Sequence, residues 1–389
     1  MKKHAIIPIF IPHQGCPNDC VFCNQKTITA RTEPVRPEDV KKILDTWLAT
    51  LSDPRPETLE AAFFGGSFTG IPIARQSAYL AVAKEYKDSG RIDKIHISTR
   101  PDYIDNEILT NLKHYGVDIV ELGVQSFDPE VLKLSKRGHS KEDIYTAVAL
   151  LKKYGFEFGI QLMIGLPGDD IKKAEHSAIC ARNLKPSVAR LYPVIVLEDT
   201  ELADMYKSGT YRPFSESEAV KITRIMYEIL SDGGINIIRV GLKSTDLIRS
   251  DSDLGGGYHP AFRQLVEGEI AKDRMLSQLK DLLDKSCTDS DSIYENFNTA
   301  TKAGKKGTVI FSSNSKSFSN MIGHRACNKK WFESNFKELD FTYNVVNSLG
   351  DQNILCVIFA FRRHNMLKYY IYRSVQMRKL QHLRKVTFT

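Results

Sequence analysis

Gln14-Gly15-Cys16-Pro17-Asn18-Asp19-Cys20-Val21-Phe22-Cys23-Asn24 follows directly on an apolar run, residues 5–12, that reads as a β-strand. The three cysteines stand four and three residues apart in one short loop, and thiolates converging in this way make a soft metal site. Zinc asks for four protein ligands, or three and a water, and is usually marked by paired Cys-x-x-Cys or Cys/His units. An iron–sulfur cube also takes four thiolates as a rule. A loop that offers three leaves one iron open to a small molecule. At this point a zinc knuckle, a redox loop and an open-iron cluster are all chemically admissible.

The chain has 389 residues, enough for one large domain and a smaller appendage. Its apolar content of 42% and charged content of 26% are those of an ordinary globular protein. No apolar run approaches the roughly 20 residues that cross a bilayer, so no membrane association is expected. The first apolar segment is short, is broken by Pro8 and runs into the cysteine loop, which argues against a signal peptide. The remaining cysteines, Cys180, Cys287, Cys327 and Cys356, are scattered singly, and the total of seven is odd. A disulfide framework is not expected, which points to a reducing cytoplasm. Net charge is +7, but no acidic residue follows Asp351 and eight basic ones do. The basic character therefore belongs to the C-terminus.

Up to about residue 246, strand-like runs alternate with amphipathic stretches. Strands are expected at 5–12, 60–65, 94–99, 118–125, 157–165, 188–196 and 235–241. Helices are expected near 37–51, 72–89, 105–115, 140–154, 169–183 and 215–232, with Pro37 at one start and Gly90, Gly116 and Gly155 just past ends. Such alternation implies an α/β fold, a partial or closed TIM-like parallel barrel. Function collects at the C-terminal ends of barrel strands, and the cysteine loop is the first of those ends. The second strand ends in Gly65-Gly66-Ser67-Phe68, where paired glycines let backbone approach a ligand. Polar residues at later strand ends, Arg100, Glu121, Gln125 and Gln161, line a cavity or are satisfied in the core; Glu121 and Arg100 are candidates for an internal ion pair.

The cysteine spacing with Phe22 before the last cysteine resembles radical S-adenosylmethionine (SAM) enzymes. Thr99-Arg100-Pro101-Asp102-Tyr103, Glu121-Leu122-Gly123-Val124-Gln125-Ser126, Lys136-Arg137-Gly138-His139 and Tyr192-Pro193 are similar, in order and spacing, to the radical SAM half of the Elongator catalytic subunit. Gly65-Gly66-Ser67-Phe68 fits that subunit's variant of the family glycine motif, with Ser67 in place of an acid. The fourth and fifth strands also resemble oxygen-independent coproporphyrinogen oxidase, although Gln161 stands where the oxidase has an aspartate, and Ser98 stands where an acid often precedes the Thr-Arg-Pro run. The resemblance covers about residues 4–275. It implies that Cys16, Cys20 and Cys23 bind a [4Fe–4S] cluster whose open iron chelates SAM. It also implies that Phe22, Gly65, Gly66, Ser67, Gln125, Arg137 and Gln161 contact SAM. A flavodoxin- or ferredoxin-type donor would reduce the cluster, and a 5′-deoxyadenosyl radical would then abstract hydrogen from the substrate. tRNA is the candidate substrate; a tetrapyrrole, or a cluster- or haem-carrying protein without turnover, is the alternative.

Domain boundaries are expected at 1–285 for the radical SAM core with its C-terminal cap, with Gly255-Gly256-Gly257-Tyr258-His259 opening the cap. A linker is expected at 286–307, a small α/β module at 308–361 and a basic tail at 362–389. The module is read as a strand at 308–312, a helix near 316–336 and strands near 341–347 and 353–361. It is too small for the acetyltransferase half of the Elongator subunit and lacks a glycine-rich pyrophosphate loop. Ile322-Gly323-His324-Arg325-Ala326-Cys327-Asn328 resembles the glycine loop of RNA-binding KH modules, with Ala326 where a second glycine is usual. In the tail, Tyr369, Tyr370, Tyr372 and Phe388 interleave with basic residues, a pattern suited to unpaired bases; 365–385 can be written as a helix.

Overall fold

A computed structural model describes residues 4–11, 20–24, 35–51, 54–242, 253–285, 307–361 and 367–371. These divide into two units, Met1–Phe262 and Arg263–Thr389. Among the described residues no helix is long and apolar enough to cross a membrane.

In the first unit, β1 (His4–Ile11), β2 (Thr58–Gly65), β3 (Lys94–Thr99), β4 (Ile119–Gln125), β5 (Glu157–Ile164), β6 (Val188–Pro193) and β8 (Asn236–Val240) form one parallel sheet in chain order. Its two edge strands, β1 and β8, do not pair, so the barrel is partial. The crossovers are α1 (Pro37–Leu51), α2 (Ile73–Asp88), α3 (Asn106–His114), α4 (Pro129–Leu134), α5 (Lys141–Lys153), α6 (Ile171–Leu184), α7 (Glu201–Lys207) and α8 (Glu216–Asp232). Side chains start them locally. Ser140 and Asp143 form a reciprocal capping box on α5, as Ser215 and Glu218 do on α8. One face of the sheet is apolar, with Ile7, Ile9, Ile95, Ile97, Val120, Leu122, Ile160, Leu162 and Leu191 all buried. The run expected as one strand over 188–196 is two. It breaks after Pro193, and β7 (Ile195–Leu197) pairs antiparallel with β9 (Asp253–Gly256).

In the second unit, the sheet order is β11-β10-β12-β13, built from β10 (Gly307–Ser313), β11 (Leu339–Val345), β12 (Ile354–Phe361) and β13 (Leu367–Ile371). Strands β10 and β11 are parallel and the other neighbours antiparallel. The helix α9 (Phe262–Lys285), which the sequence reads as part of the cap, puts Met275, Leu279 and Leu282 into one core with Val309, Phe311, Phe332 and Cys356. The helix expected over 316–336 is instead α10 (Phe318–Ile322) and α11 (Cys327–Asn335), parted where Gly323, Arg325 and Ala326 all take positive φ. Buried Asn328 fixes that break by donating to Gly268 O at 2.8 Å and Asn320 O at 3.1 Å. The helical reading of 365–385 is also corrected, because 367–371 is a strand added to the sheet edge. The rest of the expected tail after Phe361, and the expected linker before Gly307, lie outside the described residues.

Candidate active site

Cys16 lies outside the described residues; Cys20 and Cys23 do not. Residues 20–23 make a tight turn closed by Cys23 N–H donating to Cys20 O at 2.9 Å. The turn is pinned by its backbone, with Val21 N–H donating to Ser135 O at 3.3 Å and Val21 O accepting from Leu202 N–H at 2.8 Å. Val21 is buried with Val131, Leu166, Val194 and Leu202, and Phe22 packs on the same cluster. Apolar anchors at Val21 and Phe22, between the two cysteines, thus hold both thiols on a fixed turn.

The turn after α4 supplies the group that meets them. Asp128 caps α4 by accepting from Glu130 N–H and Val131 N–H, both at 3.0 Å. The helix ends where Lys136 and Gly138 take positive φ, which turns Arg137 back into the protein. Arg137 is 6% exposed. Its Nη1 donates to Cys20 Sγ at 3.2 Å and its Nη2 to Gly123 O at 2.6 Å. Arg100, on the loop after β3, donates to Arg137 O and is itself held by Asp102 at 2.8 Å. Two arginines in series therefore tie the ends of β3 and β4 to the cysteine turn. Beside them His139 accepts no charge. Burial and then the nearby Arg137 and Arg100 push its pKa down to about 3, and its Nε2 lies 3.2 Å from Val124 O.

The glycine pair is a close approach. Gly65 takes φ +120, and a Cβ there would overlap Ile11 O, while Gly66 N–H donates to Ile11 O at 3.1 Å. Ser67 is fully committed. Its hydroxyl lies 2.9 Å from Thr99 Oγ1 and accepts from Arg100 N–H at 3.1 Å. Gln125 ends β4 with φ +68, is 8% exposed, and its Oε1 has no hydrogen-bond partner among the described residues. Arg137 Nε is likewise buried and unpartnered. Orphaned buried polar atoms on both residues call for a polar ligand there. Gln161 differs, since its Nε2 donates to Glu121 Oε1 and, at 3.4 Å, to Ser98 Oγ.

Sequence reading missed the centre of this second network. Glu121 pairs with Arg190, at 2.7 Å from Nε to Oε2, and not with Arg100. The partner lies two strands away, and Gly159 between them makes room, since a Cβ there would stand 3.1 Å from Glu121 Cγ. His96, 1% exposed, has Nδ1 3.3 Å from Glu60 and Nε2 3.6 Å from Glu121, and His4 reaches Glu60 at 2.9 Å. Burial opposes the charge on Glu60, but His4 and His96 outweigh it and hold the carboxyl at about 2. Burial also opposes ionisation of Glu121, and Arg190 overcomes it. The available signal was the inward period of two, which puts Ser98, Glu121, Gln161 and Arg190 on one face. His259 is a local cap, taking Ala261 N–H on Nδ1 at 3.0 Å.

A partial parallel barrel with a cysteine turn at its C-terminal rim defines the class: a barrel enzyme of the cluster-binding kind. Residues 10–178 match the family model described as Radical SAM superfamily, and residues 186–272 match that of the Radical_SAM C-terminal domain. The chain belongs to the radical SAM superfamily, whose members use a [4Fe–4S] cluster and SAM. A tRNA uridine(34) acetyltransferase of Methanocaldococcus infernus is 38% identical over 259 residues, covering 56% of this chain and 48% of that protein. Human Elongator complex protein 3 is 31% identical over 147 residues, 37% of this chain and 27% of that one. The heme chaperone HemW of Bacillus subtilis is 28% identical, over 55% of this chain and 56% of its own length. The chain thus spans about half the length of the relatives it matches, or less. The solved Elp3 of Methanocaldococcus infernus superposes with a TM-score of 0.57 at 24% identity, over 70% of this chain and 64% of that one, which is a likeness of fold.

Proposed function

We propose that this chain is a cytoplasmic radical SAM enzyme that modifies tRNA. Cys16, Cys20 and Cys23 would hold the cluster, and the donor set fits, because three thiolates on one loop leave one iron free for SAM. When bound, the pair supplies one-electron cleavage of the sulfonium and a hydrogen-abstracting 5′-deoxyadenosyl radical. The observation that carries the reading is the pair of orphaned buried atoms, Gln125 Oε1 and Arg137 Nε, at the end of β4 beside the cysteine turn. They supply one acceptor and one cationic donor, which match the amino and carboxylate groups of an amino acid. Gly65 and Gly66 would offer backbone to the same ligand, and Phe22 an apolar wall. Ser67 and Gln161, whose side chains are spent on Arg100 and Glu121, would act through their placement of those strand ends. Electrons would come from a flavodoxin- or ferredoxin-type donor.

Support for tRNA comes from the relatives named as tRNA uridine(34) acetyltransferases and from the C-terminal unit, whose loop at 322–328 joins two helices between parallel strands. The test is anaerobic reconstitution followed by assay of 5′-deoxyadenosine with and without bulk tRNA. Stimulation by tRNA is the expected result. Reconstituted enzyme that yields none in either case, while binding haem, would overturn the reading in favour of a carrier.

A further inference from the structure

We infer that Arg137 sets the reduction potential of the cluster through its hydrogen bond to Cys20; this rests on the reading that Cys20 is a cluster ligand. The observation is the bond from Arg137 Nη1 to Cys20 Sγ at 3.2 Å, made by a guanidinium that is itself 6% exposed. Its orientation is not left to chance. Nη2 is fixed on Gly123 O at 2.6 Å, the Arg137 carbonyl is held by Arg100, and the flanking Lys136 and Gly138 keep positive φ.

The chemistry is that of hydrogen bonds to ligating sulfur, which tune iron–sulfur potentials. Reduction adds one electron from the low-potential donor to the cluster, taking it from the 2+ to the 1+ state. No bond forms or breaks, and no proton is transferred. A buried cation with an N–H on Cys20 Sγ stabilises the more negative, reduced state more than the oxidised one. Arg137 is thus a positioning residue for electron entry, a role separate from any contact its Nε makes with SAM.

The experiment compares parent, Arg137→Lys and Arg137→Met, each reconstituted anaerobically, with iron content counted first. The midpoint potential of the cluster is then taken by dye-mediated titration followed by electron paramagnetic resonance, in the absence of SAM. Arg137→Met should favour the oxidised cluster about tenfold, a fall of about 59 mV for one electron. Arg137→Lys, which keeps charge but not the fork, should fall by less. Equal potentials in all three proteins at full iron content would overturn the inference. So would loss of the cluster from both variants, which would make Arg137 an assembly residue. A parent protein that takes up zinc and no iron fails the cluster reading itself, and does so at the counting step.

Discussion

Glu121, wholly buried on β4, accepts a hydrogen bond from Arg190 Nε on β6 at 2.7 Å, across the glycine that β5 places between them. Arg190 also stacks over Phe64, with Cζ 4.6 Å from the ring centroid, and donates to Tyr192 OH at 3.3 Å. Strands β2, β4 and β6 are therefore joined through one charged pair inside the half-barrel. Removing one member leaves the other buried and uncompensated. Glu121→Ala should lower unfolding stability by about 3–5 kcal/mol, whereas Glu121→Leu with Arg190→Met should cost much less. Urea unfolding of the singles and the double checks this, and additivity of the two single losses would refute it.

The cysteines divide into two groups. Replacing Cys16, Cys20 or Cys23 by Ala should abolish the iron–sulfur charge-transfer absorption of the reconstituted protein. Replacing buried Cys180, whose Sγ lies 3.4 Å from His176 Nε2, or buried Cys356 should leave it intact, as should replacing Cys287 or Cys327. Absorption spectra with iron and sulfide counts decide between these outcomes.

Gly65 and Gly66 should respond differently. Gly65→Ala puts a side chain on a backbone at φ +120 and against Ile11 O, so it should destabilise the β1–β2 junction by about 1–3 kcal/mol. Gly66→Val should keep stability and cluster content near the parent while weakening SAM binding. Thermal unfolding and equilibrium dialysis with labelled SAM separate the two effects. Unchanged SAM affinity in Gly66→Val reduces the pair to a turn.

His139 supplies a pH dependence. Its folded pKa, about 3, lies below the ordinary histidine value of 6.5, so the folded protein binds its proton less readily than the unfolded chain. Its contribution to stability is therefore complete above pH 6.5 and is lost as pH falls from 6.5 toward 3. The loss approaches about 1.4 kcal/mol per pH unit. Between pH 6.5 and 5 the parent should lose that much more stability than His139→Gln, before Glu60, with its folded value near 2, enters the titration. Parallel curves for the two proteins across this window count against a neutral buried His139.

Residues 372–389 carry Arg373, Arg378, Lys379, Arg384 and Lys385 and follow β13, the last strand among the described residues. Each phosphate contact contributes about 0.7–0.9 to the slope of log affinity against log salt. Deletion of 372–389 should flatten that slope for tRNA and leave SAM cleavage without tRNA unchanged. Equal binding and equal salt dependence of the two proteins would remove the segment from the nucleic-acid surface.

The sequence by itself determined the alternation of strands and helices, because period-two and period-3.6 apolar patterns and helix-capping residues are local properties. It also put the cysteine loop at the rim of the barrel, since a parallel strand followed by a crossover must turn there. What lies between strands was decided by tertiary structure alone. Whether Glu121 meets Arg100 or Arg190 depends on which strands are neighbours and on the space at Gly159, and neither is written in spacing. The same holds for Arg137, separated from Cys20 by more than a hundred residues and brought to it by the turn at Lys136 and Gly138. The glycine loop at 322–328 stood out in the sequence, yet one helix was expected to run through it; the break between α10 and α11 is fixed by Asn328 reaching back to Gly268, a long-range hydrogen bond. Local propensity fixes which elements form; the buried charges and amides acquire partners only when the chain has closed around them, because their desolvation must be met by groups far away in sequence.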